Sequence, residues 1–284
     1  MLSTCNVCFR HCKINEGQTG ACFARTGGEN GATVPISYGH VTSIALDPIE
    51  KKPLYHFHPG SMILSVGSYG CNLKCPFCQN VSISLADNYT GNFPKCEYVA
   101  SETLVDLAKE YVPHGNIGVA FTYNEPLVCY EYVLDTARLL KNAGLFSVVV
   151  TNGSVLPWVI DEIGPFIDAM NIDIKCFSHD YYKDVLNGDF ETTKACIEKA
   201  LEYCHVELTT LIIPDENDSA KEMEEMSLWI AGLEKKYGKM IPYHISRFFP
   251  RSRYADRKPT DIAVMKKLYE IASNRLSCVY LGNC

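Results

Sequence analysis

Three cysteines, Cys71, Cys75 and Cys78, stand in the stretch GSYGCNLKCPFCQN with the spacing C-x3-C-x2-C. A structural zinc site usually joins two C-x2-C-like knuckles into four ligands, and this loop offers three. Iron–sulfur clusters are held by cysteine thiolates. Three ligands on a four-iron cluster leave one iron free to bind something else. Gly67, Gly70 and Pro76 are compact residues that let a loop wrap such a group closely.

A second group, Cys5, Cys8, Cys12 and Cys22, has the spacing C-x2-C-x3-C-x9-C in loop-like sequence. Four cysteines so close together are a metal-binding pattern. Zinc would close the site, whereas an auxiliary iron–sulfur cluster could carry electrons, and the spacing leaves both open. His11 lies among them as a bystander. His56 and His58 share a face of an extended segment, although a turn role suits HFHPG better than a metal. Cys129, Cys196 and Cys204 sit in apolar or helical patterns and read as packed thiols; Cys176, just after Lys175, would sit at the barrel mouth, as a packed thiol or in a substrate-side role.

These groups need a scaffold. The chain has 284 residues, 47% hydrophobic and 21% charged, as in an ordinary globular protein. Its net charge of −7 argues against nucleic acid or an anionic membrane as the main partner. The start MLSTCNVCFRHC has no apolar signal region, and no apolar run reaches membrane-spanning length. Cytoplasmic localisation is therefore expected, with metal ligands and free thiols rather than disulfides.

Residues 1–60 are rich in Gly and Cys and read as a small N-terminal metal-binding segment, with a second domain at 61–284. Apolar runs follow at 62–68, 117–123, 146–152, 168–175, 206–213 and 239–245, as strands buried on both faces should look. Helical patterns at 101–112, 131–144, 218–238 and 259–273 alternate with them; Ser101 is a plausible N-cap and Gly144 a C-cap. VYLGNC at the C-terminus reads as a last short strand. The alternation predicts an α/β protein; strand spacing suits a partial (β/α)6 TIM-type barrel, and a doubly wound open sheet is the competing arrangement that periodicity alone does not separate from it. Chemistry in such barrels gathers at the C-terminal strand ends. Those ends carry the cysteine loop, Asn124 and Glu125, Thr151 and Asn152, Asp173 and Lys175, and His244 and Arg247.

CNLKCPFC resembles the signature of the radical S-adenosylmethionine (SAM) superfamily, with Phe77 as its aromatic before the third cysteine. DPIEKKPLYHFHPGS, TYNEP, VTNG, NIDIK and PYHISRFFP extend the likeness to the AmmeMemoRadiSam-system radical SAM proteins, relatives of the pyruvate formate-lyase activating enzymes. The resemblance implies a [4Fe-4S] cluster on Cys71, Cys75 and Cys78 whose open iron is chelated by SAM. Its reductive cleavage gives a 5′-deoxyadenosyl radical that takes hydrogen from a small-molecule or protein substrate. It also implies an oxygen-free setting and reduced flavodoxin or ferredoxin as electron donor. By the same likeness Asn124 and Glu125 would hold the SAM amino group. Asn152, Asp173 and Lys175 would line its ribose and carboxylate, and His244 would face the same pocket. Gly67 stands where the activases carry Phe, Gln79 where they commonly carry His, and Tyr123-Asn124 where Gly-Gly is usual. These departures argue against the activase as the first reading; it stays an alternative, as does a non-catalytic iron–sulfur redox protein.

Overall fold

The computed structural model describes residues 2–84 and 93–284. One sheet dominates it, made of β1 Ser43–Pro48, β2 Met62–Gly67, β3 Asn116–Thr122, β4 Phe146–Thr151, β5 Ala169–Asp173, β6 His205–Ile212, β7 Tyr243–Arg247 and β8 Val279–Gly282. The strands lie side by side in chain order. β2 to β8 are parallel, and β1 pairs antiparallel with β2. The six expected strands are all present, joined by the C-terminal one. β1 was not expected: it comes from the part of the chain that sequence places in the N-terminal segment.

Six helices carry the chain back between successive parallel strands: α1 Ser101–Glu110, α2 Tyr130–Asn142, α3 Pro157–Ile163, α4 Phe190–Tyr203, α5 Ala220–Tyr237 and α6 Ile262–Ser273. Their apolar sides pack on the outer face of the sheet, Leu104, Leu140, Ile160, Ile197 and Met226 joining Val66, Phe121, Val149, Ile172 and Leu208 in one core. α4, α5 and α6 begin at side-chain caps from Asp189, Ser219 and Asp261. Ser101 does not cap α1: Ala100 holds the cap position, and the buried Ser101 hydroxyl instead accepts from the Thr136 hydroxyl of α2 at 3.0 Å.

On the inner face Ile63, Ala120, Val148 and Ala169 form a smaller core with Ile49 and Leu54. The segment after β1 therefore plugs the N-terminal end of the half-barrel. Among the described residues no pairing closes β8 onto β1, and the plug spans that gap. Tyr55 N and His56 N donate to the Glu207 carboxylate at 3.0 and 2.7 Å, and His56 Nε2 shares a 2.6 Å hydrogen bond with the Tyr280 hydroxyl. His56 thus has the structural role expected of its turn.

The last expected run, 239–245, is displaced. Pro242 has no N–H for a ladder, so β7 begins at Tyr243 and ends at Arg247. This moves His244 from a strand end to the second position.

Short antiparallel ribbons, Leu2–Thr4 with Lys13–Asn15 and Arg25–Gly27 with Thr33–Pro35, build the N-terminus. It docks beside the end of β4 through a Cys8–Val155 bridge, Leu156 N to Val7 O (2.9 Å) and Trp158 Nε1 to Asn6 O (2.8 Å). Arg25 clasps both oxygens of Glu131 at 2.7 and 2.9 Å.

Glu207 generates a pH prediction. Burial alone would raise its pKa, but His205, His244 and the two backbone N–H groups outweigh that and hold it down at about 2. A depressed carboxylate stabilises the fold above its unfolded value, near 4.5, and loses that contribution as pH falls toward 2. The full loss is on the order of 3 kcal/mol. Glu207→Gln should lower the melting temperature at pH 7, and the gap to wild type should shrink between pH 5 and 2. A gap unchanged across that range would contradict the assignment.

Candidate active site

The cysteine loop leaves the C-terminal end of β2, and its backbone is held from several directions. Cys71 N donates to Cys22 O at 3.1 Å, Gly70 N to Ser84 O at 2.7 Å, Lys74 N to Leu186 O at 2.9 Å, and Arg253 N to Pro76 O at 2.9 Å. Arg10 Nε reaches Asn72 O at 2.8 Å. Gly70 takes φ +97°, and a Cβ there would lie 2.6 Å from the Ala24 Cβ and 2.9 Å from Cys22 O. Only glycine allows the N-terminal segment so close to the loop.

The Asn124-Glu125 pair acts on this loop rather than on open space. Asn124 Oδ1 accepts from Ser68 N at 3.1 Å, and its Nδ2 donates to Tyr69 O and Gly70 O at 3.3 and 3.1 Å. Glu125 N donates to Gly70 O at 3.2 Å. The Glu125 carboxylate is buried and accepts from Leu127 N (3.0 Å), the Thr151 hydroxyl (2.8 Å) and Asn152 N (2.7 Å). Burial still pushes its pKa up to about 7, despite those three hydrogen bonds. Asn152 carries the connection onward, donating from Nδ2 to Asn72 Oδ1 at 2.9 Å and toward Cys71 Sγ at 3.6 Å. Thus Glu125 sets Asn152, and Asn152 meets the first cysteine.

Asp173 and Lys175 pair at 2.7 Å, their side chains 26% and 16% exposed, so this pair borders open space. Burial works against the Lys175 ammonium, but Asp173 and Cys75 beside it raise its pKa. Phe77 is buried, its ring 6.1 Å from that of Tyr254. His244 does not belong here. Its Nε2 shares a 2.6 Å hydrogen bond with Glu207 Oε2, and its ring packs against Tyr55 and Tyr280. The displacement at Pro242 is the cause. Cys129, Cys196 and Cys204 are buried as expected, and Cys176 donates to Glu222 at 3.0 Å.

The three loop thiols fit a cluster. Burial is the main force raising the Cys71 pKa, reinforced by Cys75, Glu125 and Cys78, and burial pushes Cys75 up to about 11. Such thiols give up their protons when a metal takes their place. Among the described residues no three His, Cys, Asp or Glu side chains are gathered tightly enough for a single ion. A cubane, ligated at separate corners, asks for a wider triangle. Cys5, Cys8, Cys12 and Cys22 line one cavity with Arg10 and Arg25. The buried Arg25 Nε there has no hydrogen-bond partner. Burial pushes Cys8 up to about 12, helped by the other three cysteines.

A parallel half-barrel with a three-thiol loop at its first parallel strand end defines a class of barrel enzymes built around a cysteine-held cluster. The Radical SAM superfamily profile matches residues 65–227, and the chain belongs to that superfamily and is an enzyme of the radical SAM class. An uncharacterised protein of Methanocaldococcus jannaschii is 36% identical, across 98% of this chain and 80% of its own. The pyruvate formate-lyase 1-activating enzyme of Escherichia coli K12 is 25% identical, across 62% of this chain and 71% of its own. The fold is similar to that of QueE from Escherichia coli, with a TM-score of 0.54 and 13% identity across 85% of this chain and 92% of that one. The family implies a [4Fe-4S] cluster and SAM. Among the described residues no helix is long and apolar enough to cross a membrane.

The Asn124 clamp is testable. Asn124→Ala should cost about 1–3 kcal/mol, the range for leaving buried partners unsatisfied, and lower the iron retained after anaerobic reconstitution. Asn124→Asp, which turns a carboxylate oxygen onto the Tyr69 and Gly70 carbonyls in place of the donor, should cost at least as much. Full iron retention in Asn124→Ala would show that the loop holds itself.

Proposed function

We propose that Cys71, Cys75 and Cys78 ligate the [4Fe-4S] cluster and that SAM is cleaved there to start hydrogen abstraction from substrate. The observation that carries this is the joining of the three-thiol loop to Asn152 and the Asp173–Lys175 pair at neighbouring strand ends. The bound cluster supplies an open iron for SAM and the electron that yields a 5′-deoxyadenosyl radical. The chain's own residues position and shield. Asn124 fixes the loop backbone, Glu125 fixes Asn152, and Asn152 reaches the first thiol. Lys175 offers its ammonium to the SAM carboxylate, and Asp173 is placed for a hydroxyl or the amino group. Phe77 packs the loop against residue 254. We place the enzyme in the cytoplasm, in the AmmeMemoRadiSam group, with reduced flavodoxin or ferredoxin as electron donor and a small molecule or protein as substrate.

We also propose a second metal at Cys5, Cys8, Cys12 and Cys22, either an auxiliary iron–sulfur cluster or a zinc ion around which the four thiols would have to close more tightly than they do here. Their shared cavity and the unpartnered Arg25 Nε support it, since four thiolates on either metal carry net negative charge. A glycyl-radical activase is the second reading, favoured by the pyruvate formate-lyase activating relatives. It predicts a glycyl radical signal on a partner protein after incubation with reduced enzyme and SAM.

Anaerobically reconstituted enzyme, reduced with dithionite, should convert SAM to methionine and 5′-deoxyadenosine. Each of Cys71→Ala, Cys75→Ala and Cys78→Ala should reduce this by at least about a hundredfold, in line with losing a group the chemistry requires. Product from all three variants would place the reaction elsewhere. In the triple variant, iron with acid-labile sulfide would identify the N-terminal metal as a cluster, and zinc would identify a structural ion. Neither metal would remove the second site.

A further inference from the structure

Tyr123 follows β3 directly and takes φ +75°, a left-handed conformation that a bulky residue rarely adopts. Its ring explains Gly67: a Cβ at residue 67 would lie 2.7 Å from Tyr123 Cδ2. Directly paired residues of neighbouring strands share a face. Asp47 pairs with Ile63, Ala45 with Ser65 and Ser43 with Gly67, and Ile63 belongs to the inner core. Asp47, Ser65 and the Tyr123 ring therefore all lie on the inner face of the half-barrel. Asn80, just past the cysteine loop, donates to Tyr123 O at 3.0 Å and ties this wall to the cluster site.

Asp47 is saturated. It accepts from Lys51 (3.1 Å), Lys52 (2.9 Å) and the Tyr123 hydroxyl (3.0 Å). Lys52 is not. Only 3% exposed, its ammonium makes one hydrogen bond among the described residues, to Asp47, and stands 4.9 Å from the Tyr123 ring centre. An ammonium has three donors, so two remain inside the barrel. The buried Ser65 hydroxyl on the same face lies beside the Tyr123 hydroxyl and makes no hydrogen bond of good geometry. Donors without acceptors are costly to bury, and the missing partner is an acceptor.

We propose that Lys52, Ser65 and Tyr123 form the substrate-recognition wall of the reaction chamber, and that it takes an anionic oxygen group, a carboxylate or phosphate, of a small molecule. Asp47 is a positioning residue that aims Lys52 and the Tyr123 hydroxyl. The proposal rests on the radical SAM reading for what happens next, but binding at this wall needs no turnover.

The test uses the reconstituted full chain with SAM and three probes at 100 mM: pyruvate, inorganic phosphate and acetamide, a neutral mimic of the peptide group. Ionic strength is matched with chloride and melting temperature is read. Pyruvate or phosphate should raise the wild-type value by about 5 °C, as a ligand with a Kd near 1 mM does at that concentration. The gain should persist in Lys52→Arg and vanish in the Asp47→Asn/Lys52→Met double variant, which removes both charges and leaves neither stranded. Equal anion gains in wild type and double variant would overturn the proposal, as would no anion gain at all. A gain from acetamide instead would overturn it in favour of a peptide substrate. A silent SAM-cleavage assay would sink the radical reading while leaving this result to stand.

Discussion

The cysteine loop takes its shape from its neighbours, and most of the architecture serves that dependence. Three half-buried thiols must be kept apart yet converging, where charge is costly. The backbone between Ser68 and Pro76 is fastened by Asn124, Ser84, Cys22, Arg10, Leu186 and Arg253, which come from widely separated parts of the chain. The parallel sheet brings those parts to one rim. The N-terminal segment bears directly on the first cysteine, through Cys22 O, which makes its own cysteines relevant to the main site.

The residues near the loop divide by what their polar atoms are free to do. Asn124 and Glu125 spend their side chains on protein partners and act by placing others. Glu125 is a buried carboxylate accepting three hydrogen bonds, its cost offset by fixing the turn after β3 and the start of Asn152. Asp173 and Lys175 keep part of their surface open. Across the sheet, the buried Lys52 ammonium makes one hydrogen bond among the described residues, to Asp47.

Much of this was legible in the sequence, for definite reasons. Thiol spacing is local, so Cys71, Cys75 and Cys78 could be read directly. Parallel strands buried on both faces leave continuous apolar runs, so the runs at 62–68, 117–123 and 146–152 gave β2, β3 and β4 nearly to the residue. β1 was missed because SIALDP is half-buried and short, without such a run. His244 was misplaced because KMIPYHI was read as one strand, although Pro242 signalled where the ladder could begin. The Asp47–Lys52–Tyr123 set joins residues 76 positions apart through the barrel interior. Its one sequence trace was the exchange of small and aromatic residues at Gly67 and Tyr123, whose meaning appears only when the two are seen to occupy one space.

The central claim is that the loop at Cys71, Cys75 and Cys78 presents an iron that SAM can reach. Electron paramagnetic resonance of the reduced, reconstituted enzyme, with SAM labelled by 17O in its carboxylate, tests it most directly. The account predicts that SAM shifts the cluster's g-values and that a hyperfine coupling to the labelled oxygen appears, both absent in Cys75→Ala. A cluster spectrum indifferent to SAM in the wild-type enzyme would contradict it.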